Sequence, residues 1–163
     1  MHTTVKFAKV RPTAKIPTKR VEDAGYDIYA NFEDPFMVMD PHTTRIIPSG
    51  IACACDTDYC IILKERGSTG TKGMAQRCGV VDSGYRGEIG IPITNTTNHK
   101  IFICKSEYAV AHTSEDIIYP YEKAISQMLV IPVPTVNIEE CTYEELKTIP
   151  SERGLGALGS SGK

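Results

Sequence analysis

Short apolar runs broken by turn-forming clusters dominate the chain. Val5, Phe7 and Val10 open a strand-like segment that stops at Arg11-Pro12. Further β-favouring runs occupy residues 28–32, 36–39, 45–48, 51–55 and 60–63, then 79–81, 89–93, 100–104, 117–119 and 125–133. Turn clusters fall between them, at 31–35, 40–41, 48–50 and 94–99. Their Pro, Gly, Asp and Asn residues set turns through a fixed φ, a positive φ or a local side-chain hydrogen bond. Many short strands with regular turn punctuation predict an all-β domain, a sandwich, distorted antiparallel barrel or jelly roll.

Helical signals are few. Thr142-Tyr143-Glu144-Glu145 has the spacing of a capping box and leads into Leu146 and Lys147, enough for about two turns. Residues 68–75 suit a short helix or a structured loop, and Gly70 and Gly73 argue against anything longer. The stretch 150–163 is rich in Gly and Ser and cannot bury much of itself. The expected organisation is a β domain over 1–149 and a flexible arm over 150–163, whose glycine N–H groups are able to meet oxygen anions.

Composition narrows the partners. The chain has 163 residues, 41% hydrophobic and 23% charged, with a formal net charge of −2. That is one domain's length and an ordinary globular balance. No basic stripe calls for nucleic acid or an anionic membrane surface, while a small polyanion remains compatible with local Arg, Lys and backbone N–H groups. The N-terminal residues lack a signal peptide's apolar run and 128–133 is too short to span a bilayer, so the expected location is cytoplasmic. Six cysteines without a C-x-x-C, and four scattered histidines, favour reduced buried thiols over disulfides or zinc. Alternation is expected to turn Cys53 and Cys55 to one side of a strand.

Two segments carry candidate chemistry. Cys78-Gly79-Val80-Val81 runs into Asp82-Ser83-Gly84-Tyr85-Arg86-Gly87, and the chain returns as Glu88-Ile89-Gly90-Ile91. This reads as a β-hairpin with a carboxylate, an aromatic ring and a guanidinium at its tip. An Asp in a turn commonly serves only its own backbone, but three functional groups at one tip suggest use. Arg66-Gly67-Ser68-Thr69-Gly70-Thr71-Lys72-Gly73 supplies the cations, hydroxyls and glycines of a phosphate cradle. It is not a P-loop, whose spacing is missing. The C-terminal glycines imitate one, but Ala157 stands where its first glycine would be.

With Ala24-Gly25-Tyr26-Asp27, Lys123-Ala124-Ile125-Ser126-Gln127 and the tail from Arg153 to Gly162, these segments resemble the five ordered motifs of the trimeric dUTPase family. The resemblance spans residues 24 to 162. It implies a jelly roll, a homotrimer with active sites between subunits, and Mg2+-assisted hydrolysis of dUTP to dUMP and pyrophosphate. That activity limits uracil incorporation into DNA and supplies dUMP for dTMP synthesis. By the same resemblance, Asp82 is the general base for the attacking water and Gln127 supports the water or the phosphates. Arg66, Gly67 and Ser68 meet the phosphate chain, backbone near Gly79 and Gly90 reads uracil, and Tyr85 excludes a 2′-hydroxyl. Asp27 reaches magnesium through water. Arg153, Leu158, Gly159, Ser160 and Ser161 belong to an arm that closes over the substrate.

This chain departs from the family pattern at four places. Leu158 stands where a stacking Phe is frequent, Gly67 where Ser usually follows the Arg, and Gln76 near a base-reading Asn. Residues 106–121 look like an insertion, read as a longer hairpin. The related dCTP deaminases need a Glu ten residues past the aspartate, where this chain has Pro92. A regulatory protein partner, as some phage-encoded relatives have, is a further reading compatible with catalysis. A purely structural jelly roll leaves the five motifs unexplained.

Overall fold

The computed structural model describes residues 3–108 and 115–156. Among them lie twelve strands: β1 Lys6–Lys9, β2 Tyr26–Ile28, β3 Phe36–Met39, β4 Thr44–Pro48, β5 Ile51–Ala54, β6 Tyr59–Lys64, β7 Met74–Gln76, β8 Val80–Val81, β9 Gly90–Asn95, β10 Ile101–Cys104, β11 Ile117–Pro120 and β12 Ser126–Pro132. Helix α1 spans Gly67–Gly70 and α2 spans Tyr143–Thr148. The strands form four small sheets, ordered β1-β5, β11-β10-β3, β2-β12-β6-β8 and β4-β9-β7. The all-β expectation holds.

Alternation sets the core. In β9, Ile91, Ile93 and Asn95 are buried while their neighbours are not, and in β6 Ile61 and Leu63 are. One face of each strand therefore meets the apolar interior, as a period of two dictates. β10 is buried at every position because it is the central strand of its sheet. Buried Asn95 is satisfied: its amide donates to the carbonyls of Met39 and His99, and its oxygen accepts from Thr97.

Contacts divide the chain into two compact units, residues 1–133 and 134–163. The first holds every strand. In the second, Thr142 caps α2: its hydroxyl accepts from Glu145 N–H at 3.2 Å, and the Glu145 carboxylate accepts from Thr142 N–H at 2.8 Å. Val136, Ile138, Tyr143, Leu146, Ile149 and Leu155 of this unit are exposed. No helix among the described residues is long and apolar enough to cross a membrane.

Four expectations need correction. β8 and β9 are not a hairpin: β8 pairs with β6, and β9 with β4 and β7. The eight residues 82–89 between them are too many for a tight turn and carry the chain from one sheet to another. β10 and β11 pair in parallel, so residues 106–121 do not form a longer hairpin. Parallel neighbours need a crossover of about a dozen residues, which 105–116 supplies. The run at 28–32 is strand only through Ile28, although Ala30, Asn31 and Phe32 are buried in irregular backbone. All six cysteines are free thiols, but only Cys53 and Cys104 are buried, and β5 ends before Cys55.

Candidate active site

The register of the β2-β12-β6 sheet builds the first half of the site. Gln127 of β12 stands opposite Asp27 of β2 on one side and Lys64 of β6 on the other. Thr18 bridges Asp27 from beyond β2, with the Asp27 N–H donating to the Thr18 carbonyl at 2.8 Å. Residues directly opposite across a ladder share a face, so these four side chains form one row. β6 then runs out through Glu65 to Arg66, which leads into α1.

Arg66 ties the row together. Its Nε lies 2.9 Å from Asp27 Oδ1, and its Nη1 donates to the Ala124 carbonyl at 3.2 Å and to Ser68 Oγ at 3.3 Å. Gln127 Nε2 donates to the Glu65 carbonyl at 2.9 Å, and a Cβ on Gly25 would collide with the Gln127 side chain. A side chain at 25 would therefore have to displace the Gln127 amide. A Cβ at Gly67 meets nothing within 4 Å, so space does not demand glycine there. These groups line a cavity of about 680 Å³ with Thr18, Lys19, Arg20 and Asp23. Sequence reading missed those last four. Their only signal was the adjacent cations of Thr18-Lys19-Arg20 before the first motif.

The second half surrounds Asp82. Cys78, Val80, Val81, Asp82, Tyr85, Ile89 and Gly90 line a smaller cavity of about 210 Å³. Asp82 is exposed, and no side chain among the described residues holds its carboxylate. Tyr85 is 47% exposed, and its hydroxyl donates to the Glu88 carbonyl at 2.9 Å. The Glu88 carboxylate accepts from Arg11 Nη1 at 2.6 Å, Arg11 Nη2 at 2.9 Å and Gly50 N–H at 2.7 Å. That bond to Glu88 raises the Arg11 pKa further above its usual value. Glu88 is an anchor for this loop and leaves no sign of a catalytic role.

Gly79 lies just outside the cavity lining. Its carbonyl accepts from Leu63 N–H at 2.6 Å, and a Cβ there would meet the Leu63 carbonyl oxygen at 2.5 Å. Gln76, near the family's base-reading position, is engaged inward: its amide donates to the Pro92 and Arg77 carbonyls, and its oxygen accepts from the Ser126 hydroxyl. In the second unit Arg153 Nε donates to the Gly156 carbonyl at 2.8 Å. Leu158, Gly159, Ser160 and Ser161 lie outside the described residues.

The two halves are far apart within one chain. β8 runs antiparallel to β6 with Val81 opposite Ile61, which sets Asp82 beside the Cys60 end. Arg66 leaves the other end, six residues further on, or roughly 20 Å of extended strand.

A family model described as dUTPase matches residues 12–109. The chain belongs to the dUTPase family. A dUTPase relative, the deoxyuridine 5'-triphosphate nucleotidohydrolase of Clostridioides difficile, is 31% identical over 162 residues, covering 97% of each protein. The dUTPase of Staphylococcus bacteriophage 80alpha, solved with dUPNHPP, superposes with a TM-score of 0.76 at 25% identity, over 98% of this chain and 99% of that one. It is described among phage dUTPases that control transfer of virulence genes by a proto-oncogenic G protein-like mechanism. A variant dUTPase from phage phi11 of S. aureus, whose structure details the coordination of a structural Mg(II) ion, shares the fold with a TM-score of 0.68 at 20% identity, over 86% of this chain and 99% of that one. The architecture is the dUTPase jelly roll.

No group of three or more His, Cys, Asp or Glu able to hold a metal occurs among the described residues. The cavity nevertheless fits magnesium of one kind. Asp27 stands at its wall beside Arg66, and a carboxylate so paired keeps lone pairs for a metal-bound water; Mg2+ is commonly held by one or two carboxylates, waters and substrate phosphates rather than a protein cage.

Proposed function

We propose that this protein hydrolyses dUTP to dUMP and pyrophosphate by attack of water on the α-phosphorus. The observation that carries the reading is the pairing of a cation-lined cavity around Asp27, Arg66, Ser68 and Gln127 with a separate small pocket around Asp82 and Tyr85. The first suits a phosphate chain and the second a base and sugar.

Asp82, exposed at the loop, takes the proton of the attacking water. Tyr85, anchored through its hydroxyl, lays its ring where a ribose 2′-hydroxyl would sit and so excludes UTP. Backbone near Gly79 and Gly90 reads uracil. Arg66, Gly67 and Ser68 bind phosphate oxygens, and Gln127, fixed through its amide to Glu65, supports the phosphates or the water. Magnesium clasped by the phosphates and reached by Asp27 through water supplies charge neutralisation at the α-phosphate. Residues 150–163 act as an arm on the β domain: Arg153, Leu158, Gly159, Ser160 and Ser161 close over the nucleotide. The reaction limits uracil in DNA and supplies dUMP, in the cytoplasm, without nucleic-acid or membrane partners.

One nucleotide cannot reach both ends of β6 at once, so Asp82 of one subunit serves Arg66 of another. The family resemblance makes the assembly a homotrimer, and this separation supports sites shared between subunits. Mixing inactive Asp82→Asn and Arg66→Ala protomers, with subunit exchange, restores about a quarter of the sites if the halves come from different chains. No recovery after verified exchange refutes shared sites. A regulatory protein partner is a second reading, favoured by the likeness to the phage 80alpha enzyme; replacing residues 109–114, which leaves β11 in place, by a Gly-Ser segment of equal length should then abolish that binding and spare hydrolysis.

The direct test is pyrophosphate release with magnesium from dUTP, dTTP, dCTP and UTP, for wild type and Asp82→Asn. Release from dUTP alone, lost in the variant, supports the reading. No release from dUTP, or equal release from all four, overturns it.

A further inference from the structure

The cavity around Arg66 holds one cation that neither the motifs nor an ion pair among the described residues accounts for. Its wall carries three cations, Lys19, Arg20 and Arg66, and two carboxylates, Asp23 and Asp27. Each carboxylate is committed: Asp23 to Arg20 at 2.9 Å and Asp27 to Arg66 at 2.9 Å. Among the described residues, Lys19 is the lining cation left without a carboxylate. Its ammonium rests on the carbonyls of Arg20 at 3.3 Å and Val21 at 3.2 Å, and 5.4 Å from the Tyr26 ring centroid. Two long bonds to its own loop hold it lightly, and a lysine ammonium has three donors on a flexible stem.

The loop that carries Lys19 is nonetheless fixed to the site. The Thr18–Asp27 bridge pins its two ends side by side, next to Gln127, and the Arg20–Asp23 pair braces its middle. Lys19 therefore starts one residue from the row that faces the phosphates. A substrate arriving with a polyanionic tail meets a cavity whose other cations, Arg20 and Arg66, each already face a carboxylate.

We propose that Lys19 is a substrate-binding residue that grips the pyrophosphate end of the nucleotide and so selects triphosphate over monophosphate. This rests on the reading of the cavity as the phosphate half of the site. Lys19 swings from the carbonyls of its own loop onto the distal phosphates, exchanging two weak neutral acceptors for a charged one. Nothing in the chemistry of bond breaking depends on it, so its effect falls on binding.

The test is calorimetric titration of pyrophosphate, with magnesium, into wild type, Lys19→Ala and Lys19→Arg, beside steady-state hydrolysis of dUTP and inhibition by dUMP. In Lys19→Ala, pyrophosphate binding weakens about tenfold and the KM for dUTP rises by a similar factor, with the weakening reduced at high salt. The kcat and the inhibition constant of dUMP stay near wild type, and Lys19→Arg retains most of the pyrophosphate affinity. Unchanged pyrophosphate binding in Lys19→Ala overturns the proposal. So does an equal loss of dUMP binding, which would mean that the loop itself had been disturbed. A wild type that binds pyrophosphate through Lys19 but leaves dUTP intact refutes the hydrolase reading and spares the anion site.

Discussion

Replacing Glu88 by Gln isolates what the anchor beneath Tyr85 contributes. The Glu88 carboxylate accepts from three donors at 2.6, 2.9 and 2.7 Å, two on Arg11 and one on the Gly50 backbone. A glutamine keeps the shape but has one acceptor oxygen, and its NH2 must face a donor. Charge-assisted bonds of this kind contribute about 1.5–3 kcal/mol each when buried. The two side chains are 33% and 25% exposed, so solvent screens the pair and the lower end applies. The expected loss is about 2 kcal/mol, or a Tm lower by roughly 4–8 °C for a chain of this length at fixed protein concentration. Because the Glu88 carbonyl holds the Tyr85 hydroxyl, the ratio of kcat/KM for UTP to that for dUTP should rise as the ring loosens. Thermal unfolding and paired kinetics of Arg11→Ala, Glu88→Gln and the double variant read both effects. Additive single losses, within about 0.5 kcal/mol, would refute the coupling. So would a Glu88→Gln protein with wild-type Tm and wild-type discrimination.

Other outcomes follow from the same geometry. Gly79→Ala drives a Cβ against the Leu63 carbonyl oxygen at 2.5 Å, a backbone atom that cannot swing away. It should cost about 1–3 kcal/mol in urea unfolding, and an unchanged midpoint would refute the close approach of β8 to β6. Tyr85→Ala should raise the kcat/KM of UTP relative to dUTP by about tenfold or more, since a steric barrier is removed; an unchanged ratio places sugar discrimination elsewhere. The Ser106 N–H bond holds the Glu122 carboxyl below its ordinary value of 4.5, and a backbone bond together with Lys64 does the same for Glu65. The unfolded chain binds protons first as pH falls, so the stability these groups give is complete above about pH 4.5 and is lost through their lower folded values. Tm measured from pH 6 to 3 should fall less steeply in Glu122→Gln; an identical slope would remove Glu122 from the account.

Periodicity made the strands legible but left their partners open. Ile89, Ile91 and Ile93 alternate into the core as read, because burial of one strand face is a local property of sequence. Pairing is not local. Residues 79–81 and 89–93 are close in sequence and look like two arms of a hairpin, yet each finds its ladder elsewhere, Val81 against Ile61 and Ile93 against Arg45. Residues 101–104 and 117–120 pair in parallel for the same reason, since a crossover of sufficient length leaves no mark on either run. The site shows the same division. Motif order pointed to Asp27, Arg66 and Gln127, and the ladder that sets Gln127 opposite Asp27 brings Arg66 to the same carboxylate from 39 positions away. Lys19 escaped because an unpaired cation in a loop has neither period nor motif. Its meaning depends on Asp23 and Asp27 being occupied by other partners, and that charge balance exists only once the chain is folded.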